Sequence, residues 1–165
     1  MRRFTSTGAA TMLAIGTALL AVSPLSVEAH ESRTIAEGEY QLVVGFISEP
    51  VFAGDKSGLE FWVTDVSEAT PAASEDAEGA PVEGLEETLQ AEVIFGDQSM
   101  ELPLDPTWDE PGGYHSVFFP MEPGDYTFRI FGTIGETEID ESFTSSPEGF
   151  DSVKDPVSVS FPKAS

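Results

Sequence analysis

The chain has 165 residues, 30 of them acidic and 7 basic, a net charge of −23, and no cysteine. That balance argues against nucleic acid and anionic membrane surfaces as partners, because both are bound through Lys and Arg. Without cysteine there is neither a disulfide framework nor a thiol for lipid attachment, so an apolar core must hold the fold alone.

Residues 1–29 have the three parts of a secretory signal. Arg2 and Arg3 form the charged start, Met12 to Val22 is an apolar run too short to cross a bilayer, and Val27 and Ala29 stand at the −3 and −1 positions of a cleavage site. Thr5 and Ser6 occupy places where a twin-arginine signal has apolar residues, which favours the general secretory route. Cleavage after Ala29 leaves 136 residues, one ordinary domain, expected to be soluble and secreted or periplasmic. Of the 30 acids only Glu28 lies in the signal, and of the 7 bases Arg2 and Arg3 do, so 29 acids face 5 bases in the remainder. Such a surface fits either a salt-loving protein or one that collects cations. No D-x-[DN]-x-[DN]-G loop occurs and the chain has no asparagine, which favours a solvated acidic surface over calcium loops and removes every N-glycosylation site.

In chain order, His30 to Gly38 reads as a polar N-terminal arm, and residues 39–165 as the folded domain. Tyr40, Leu42 and Val44 alternate along a first strand ending near Ile47. Leu59, Phe61 and Val63 mark a second, with Trp62 on its other face. Residues 67–84 are rich in Ala, Glu, Pro and Ser and read as a mobile acidic loop. Ala91, Val93 and Phe95 begin a hairpin that turns at Gly96-Asp97 into Met100, Leu102 and Leu104. A loop carrying Trp108 precedes a strand from Tyr114 to Phe119, and Glu122 to Asp125 form a tight turn into Tyr126, Phe128 and Ile130. Ile139, Glu141 and Phe143 predict a seventh strand; Val157, Val159 and Phe161 predict a short last one. Seven or eight short strands without helical periodicity predict an all-β, immunoglobulin-like antiparallel β-sandwich.

The candidate chemistry centres on histidine. As the first residue after cleavage, His30 offers a metal its α-amine and imidazole Nδ1 in one chelate ring, an arrangement suited to the tetragonal preference of Cu(II). The only other histidine, His115, is a possible third nitrogen, with Glu31 or water as a fourth ligand. Eight arm residues reach at most about 26 Å, so spacing neither forces nor forbids the two histidines to meet. His115 alternates with Val117 and Phe119; it borders the core if that face is inward and is an exposed strand residue if not. Met100 and Met121 could serve Cu(I) through their thioethers, but Met100 fits its strand's apolar alternation and reads as core filling. Trp108, among Asp105, Asp109 and Glu110, reads as exposed and hints at a partner surface. There is no G-x-S-x-G, P-loop, cysteine nucleophile or zincin motif, and no enzymatic activity is expected.

The phrases "EYQLVVGFISEPVFAGDKSGLEFWV" and "EPGGYHSVFFPMEPGDYTFRIFG" resemble secreted bacterial immunoglobulin-like domains of the YtkA-like and CopC-like kind, over roughly Glu39 to Gly132. The resemblance implies Cu(II) binding through an N-terminal histidine, matched by His30, and a downstream histidine in an Asp-x-His pattern. His115 follows Gly113 and Tyr114, so that pattern is not kept. The expected function is extracytoplasmic copper binding for delivery, buffering or resistance, with a membrane copper transporter or another extracytoplasmic protein as partner. The alternative is a structural or adhesive interaction module that binds no metal.

Overall fold

The computed structural model describes residues 29–68, 79–146 and 149–162. The expected signal up to Glu28, and most of the acidic loop, lie outside the described residues. Ten strands are formed among the rest. They are β1 (His30–Ile35), β2 (Tyr40–Phe46), β3 (Ser57–Asp65), β4 (Ala80–Pro81), β5 (Leu89–Phe95), β6 (Gln98–Leu102), β7 (Asp105–Pro106), β8 (Gly113–Phe118), β9 (Thr127–Ile134) and β10 (Thr137–Thr144). One sheet runs β1-β2-β3-β8-β7, with β4 also paired to β3; the other runs β10-β9-β5-β6. Every strand pair is antiparallel. The expected all-β sandwich is what the chain forms.

Alternation explains the layers. Leu42, Val44 and Phe46 of β2, Leu59, Phe61 and Val63 of β3, and Tyr114 and Phe118 of β8 are buried on the inner face of the first sheet. Ala91 and Val93 of β5, Phe128 and Ile130 of β9, and Ile139 and Phe143 of β10 face them from the second. The ring of Phe46 joins the layers, lying 5.1 Å from Phe128, 5.6 Å from Phe150, 6.2 Å from Tyr126 and 6.4 Å from Phe118 between centroids. The β5–β6 hairpin turns where expected, with Gly96 at φ +61°, a conformation glycine adopts without steric cost.

Three expectations change, and the inward face of β8, left open by the sequence, is decided. The polar arm at His30–Gly38 is an edge strand plus a 3-10 turn (Ala36–Gly38), with all six residues of β1 paired to β2. Its anchor is Arg33, opposite buried Leu42 in the register. The guanidinium lies 4.2 Å from the centroid of the Phe143 ring, donates to Glu141 and the Ser142 carbonyl on β10 (3.1 Å each), and to Glu31 (2.6 Å). Val157, Val159 and Phe161 form no strand; a 3-10 turn (Pro156–Ser158) replaces it and all three side chains are exposed. Met100 is exposed instead of filling the core, and the core face of β8 is the Tyr114–Ser116–Phe118 side, which leaves Val117 and Phe119 exposed.

Because Phe46 ties both sheets, Phe46→Ala is expected to cost about 3–5 kcal/mol, the usual loss for a buried Phe. The denaturant midpoint measures it, with an unchanged dependence on denaturant if the fold is kept.

Candidate functional site

The register lines up five residues across the first sheet. His30 of β1 stands opposite Gly45 of β2, Gly45 opposite Glu60 of β3, Glu60 opposite His115 of β8, and His115 opposite Asp105 of β7. Cross-strand partners share a face, and Glu60 alternates with inward Leu59 and Phe61. The row therefore lies on the outer face.

Gly45 is what brings His30 to Glu60. A Cβ at Gly45 would sit 2.5 Å from His30 Cδ2, so the imidazole occupies the space that a side chain on β2 would fill. Lying across β2, it reaches the next strand, where Nε2 is 3.0 Å from Glu60 Oε1. A carboxylate oxygen accepts, so in the neutral ring this partner favours the proton on Nε2 and leaves the lone pair on Nδ1. Trp62, two residues beyond Glu60, meets the imidazole edge-on at 5.3 Å and 77°. Its indole N–H donates to Glu110 at 3.0 Å, so the ring that flanks His30 is itself held.

His115 turns the other way. Its Nδ1 is 3.3 Å from Thr107 Oγ1. Three interstrand steps separate His30 from His115, about 14 Å between backbones, with Glu60 between them. The two histidines share a face and a row but are not brought together. Glu31, opposite Val44 in the register, sits on the other side of β1, bound to Arg33. Among the described residues, no group of three or more His, Cys, Asp or Glu side chains is disposed to hold a metal ion.

A second carboxyl acts on His30. Burial first, and the charge of Asp151 next, push Glu49 up to about 7, against the Asp151 backbone N–H and the charges of His30 and Lys154. Its Oε1 is buried without a hydrogen-bond partner. His30 is raised, foremost by its hydrogen bond to Glu60 and against the cost of burial, with the charges of Glu60 and Glu49 adding to the rise. Trp108 is 93% exposed, as expected. Its neighbours Thr107 and Asp109 line a cleft of about 350 Å³ with Glu83, Glu86 and Glu110.

Glu60, Gly45 and Glu49 were not singled out by sequence reasoning. Period-two parity in "LEFWV" does place Glu60 and Trp62 together on the face opposite Leu59 and Phe61, which was the available signal. The chain matches no family model, and no curated protein or solved structure matches it.

Both shifts run in one direction with pH. A raised His30 stabilises the fold below its ordinary value near 6.5, and that contribution is lost as pH rises through the folded value. A raised Glu49 does the same below its unfolded value, and is lost as pH rises toward and through about 7. Glu49→Gln, which keeps a neutral group, is expected to flatten this fall. At about pH 8 it should exceed the parent by on the order of 1 kcal/mol, after discounting for partial exposure. Urea midpoints across this range test it. Glu60→Gln is expected to lower the His30 pKa, read by NMR titration of the ring protons.

Proposed function

We propose that the chain is exported, cleaved after Ala29, and binds Cu(II) outside the cytoplasm through the α-amine and Nδ1 of His30, for delivery, buffering or resistance. The observation that carries this reading is the 3.0 Å hydrogen bond from His30 Nε2 to Glu60. It supports the tautomer of the neutral ring in which Nδ1 would be the atom left for a metal, and ligating histidines ordinarily pass their other N–H to such a carboxylate. A chain beginning at His30 also retains β1 whole, because the strand starts at that residue.

The donor set is smaller than the sequence suggested. His115 is three strands away and Glu31 is held by Arg33, so the proposed chelate is the amine and Nδ1, completed by water or a carboxylate. Copper is cargo in this reading and no reaction is assigned to it. The likeness to YtkA-like and CopC-like domains points the same way, and a membrane transporter or another extracytoplasmic protein would receive the ion. A second reading, an adhesive module without metal, is favoured by Trp108 standing exposed beside the acidic cleft, since tryptophan is enriched among the residues that dominate interfaces.

Chain prepared to begin at His30 is expected to bind one Cu(II) with quenching of Trp62 fluorescence, the affinity falling as pH drops because the ligands must shed protons. Acetylating the amine, or placing one residue before His30, should weaken binding at least tenfold, whereas His115→Ala should change it less than about threefold. No binding by the correctly processed chain would overturn the copper reading in favour of the adhesive one.

A further inference from the structure

We propose that the acidic cleft beside Trp108 docks an arginine side chain presented by a partner protein. This goes beyond the copper reading and holds whether or not His30 takes the ion.

The cleft is built before any partner arrives. One wall comes from residues 83–86 and the other from residues 106–113. The Tyr114 hydroxyl ties them together, donating to the Val82 carbonyl at 2.7 Å and accepting from the Leu85 N–H at 3.1 Å. The second wall is held in turn. Gly113 N–H donates to the Glu110 carbonyl at 3.0 Å, and Val63 N–H on β3 donates to the Gly112 carbonyl at 2.9 Å. The volume, about 350 Å³, is that of a preformed ligand site, which runs from roughly 300 to 1,000 Å³.

Its lining calls for a cation. Glu83, Glu86, Asp109 and Glu110 all face it, and no basic residue does. Glu110 has the Trp62 indole N–H at 3.0 Å. Glu86 Oε2 is buried without a hydrogen-bond partner. An acceptor left unpaired in this way is costly, and a donor entering from outside relieves the cost. Trp108 stands between two lining residues and is 93% exposed. A guanidinium suits all of these at once. It has five donors in a planar fork that fits carboxylates, it stacks on an indole face, and it sheds water more readily than an ammonium. Arginine and tryptophan are also the side chains that dominate protein interfaces.

The arginine has to come from another protein. Arg33 is committed to Glu31 and Glu141, and Arg129 to Glu92 and Asp140. Arg2 and Arg3, the other two, lie in the expected signal. The folded domain therefore has no uncommitted guanidinium to place in its own cleft, and a second copy has none either. A second copy would also bring the same net charge of −23 against the first, whereas a basic partner is drawn in by that charge.

The probe is a Gly-Arg-Gly peptide blocked at both ends, titrated into isotopically labelled full chain and followed by NMR. Full chain keeps residues before His30, so the copper chelate plays no part in the result. Saturable shifts are expected at the Trp108 indole N–H and at the Glu86 and Asp109 amides. The lysine counterpart should bind at least about threefold more weakly, and added salt should weaken both. Trp108→Ala and Glu86→Gln should each weaken the arginine peptide at least about threefold while keeping the parent circular dichroism. A control carrying Asp97→Asn and Glu101→Gln, which removes two exposed charges from the β5–β6 hairpin, should leave the affinity within about 1.5-fold. Four outcomes would each overturn the proposal. They are the absence of saturable shifts, an equal loss in the hairpin control, tighter peptide binding by Lys163→Ala, and a dimer by light scattering that Trp108→Ala dissolves. The second would mean a diffuse field, the third that the chain's own tail fills the cleft, and the fourth that a second copy does.

Discussion

The placement of Phe46 decides most of this structure. With no cysteine available, side-chain packing is the main tie between the two sheets, and the Phe46 ring is where four other aromatic side chains converge. Burying a side chain of that size contributes roughly 1.5–3 kcal/mol. It also sets parity. Once Phe46 points inward, Val44 and Leu42 must follow, and Gly45 must face outward. A slip of one residue would reverse the whole strand. The outer row that holds His30 over Gly45 and against Glu60 is thus a consequence of how the core closes on the other side of the same strand.

The strands that could be read in the sequence are those whose stability is local in pattern. β2, β3, β5, β9 and β10 each alternate, and each buries the side the alternation names. β1 could not be read that way, since "HESRTI" has a single apolar residue. Its stability comes from pairing along β2 and from Arg33 reaching over Phe143 to β10, more than a hundred residues away. β4 and β7 are two residues each and too short to carry a period. Residues 157–161 are the opposite case: the alternation is present and no strand forms, because a pattern states which face would be buried without supplying the sheet.

The same distinction separates what was legible in the candidate site. His30 drew notice because a histidine at a chain's N-terminus would have chemistry of its own. Its partners depend on register, and register is a property of three strands at once. β8 shows why His115 stayed ambiguous. Tyr114, Ser116 and Phe118 alternate with His115, Val117 and Phe119, so both faces offer large apolar groups and parity could be settled only by the neighbouring sheet. The cost is visible at Ser116, buried with a hydroxyl that has no hydrogen-bond partner. Tyr114 is better served, its hydroxyl donating to the Val82 carbonyl at 2.7 Å and accepting from the Leu85 N–H.

Charge links the outer row to the rest of the surface. Beyond residue 29 the chain has two arginines, and both are committed to tying strands together. Arg33 binds Glu31 and Glu141. Arg129 binds Glu92 and Asp140 while lying over the Phe131 ring, and its guanidinium is held further toward the charged form by those two carboxylates. Three lysines remain, of which Lys154 pairs with Asp151. Most carboxylates therefore have no cation of the chain's own to neutralise them, and their summed field extends about one Debye length, near 10 Å at moderate salt. Any small cation is drawn toward such a surface before it meets a ligand, which raises the rate of encounter without raising selectivity. Selectivity would have to come from atoms placed by covalent and backbone geometry, and under the proposed function the histidine that lies across Gly45 would be that nitrogen donor. Carboxylate density would supply the approach, and the His30–Glu60 pair the orientation.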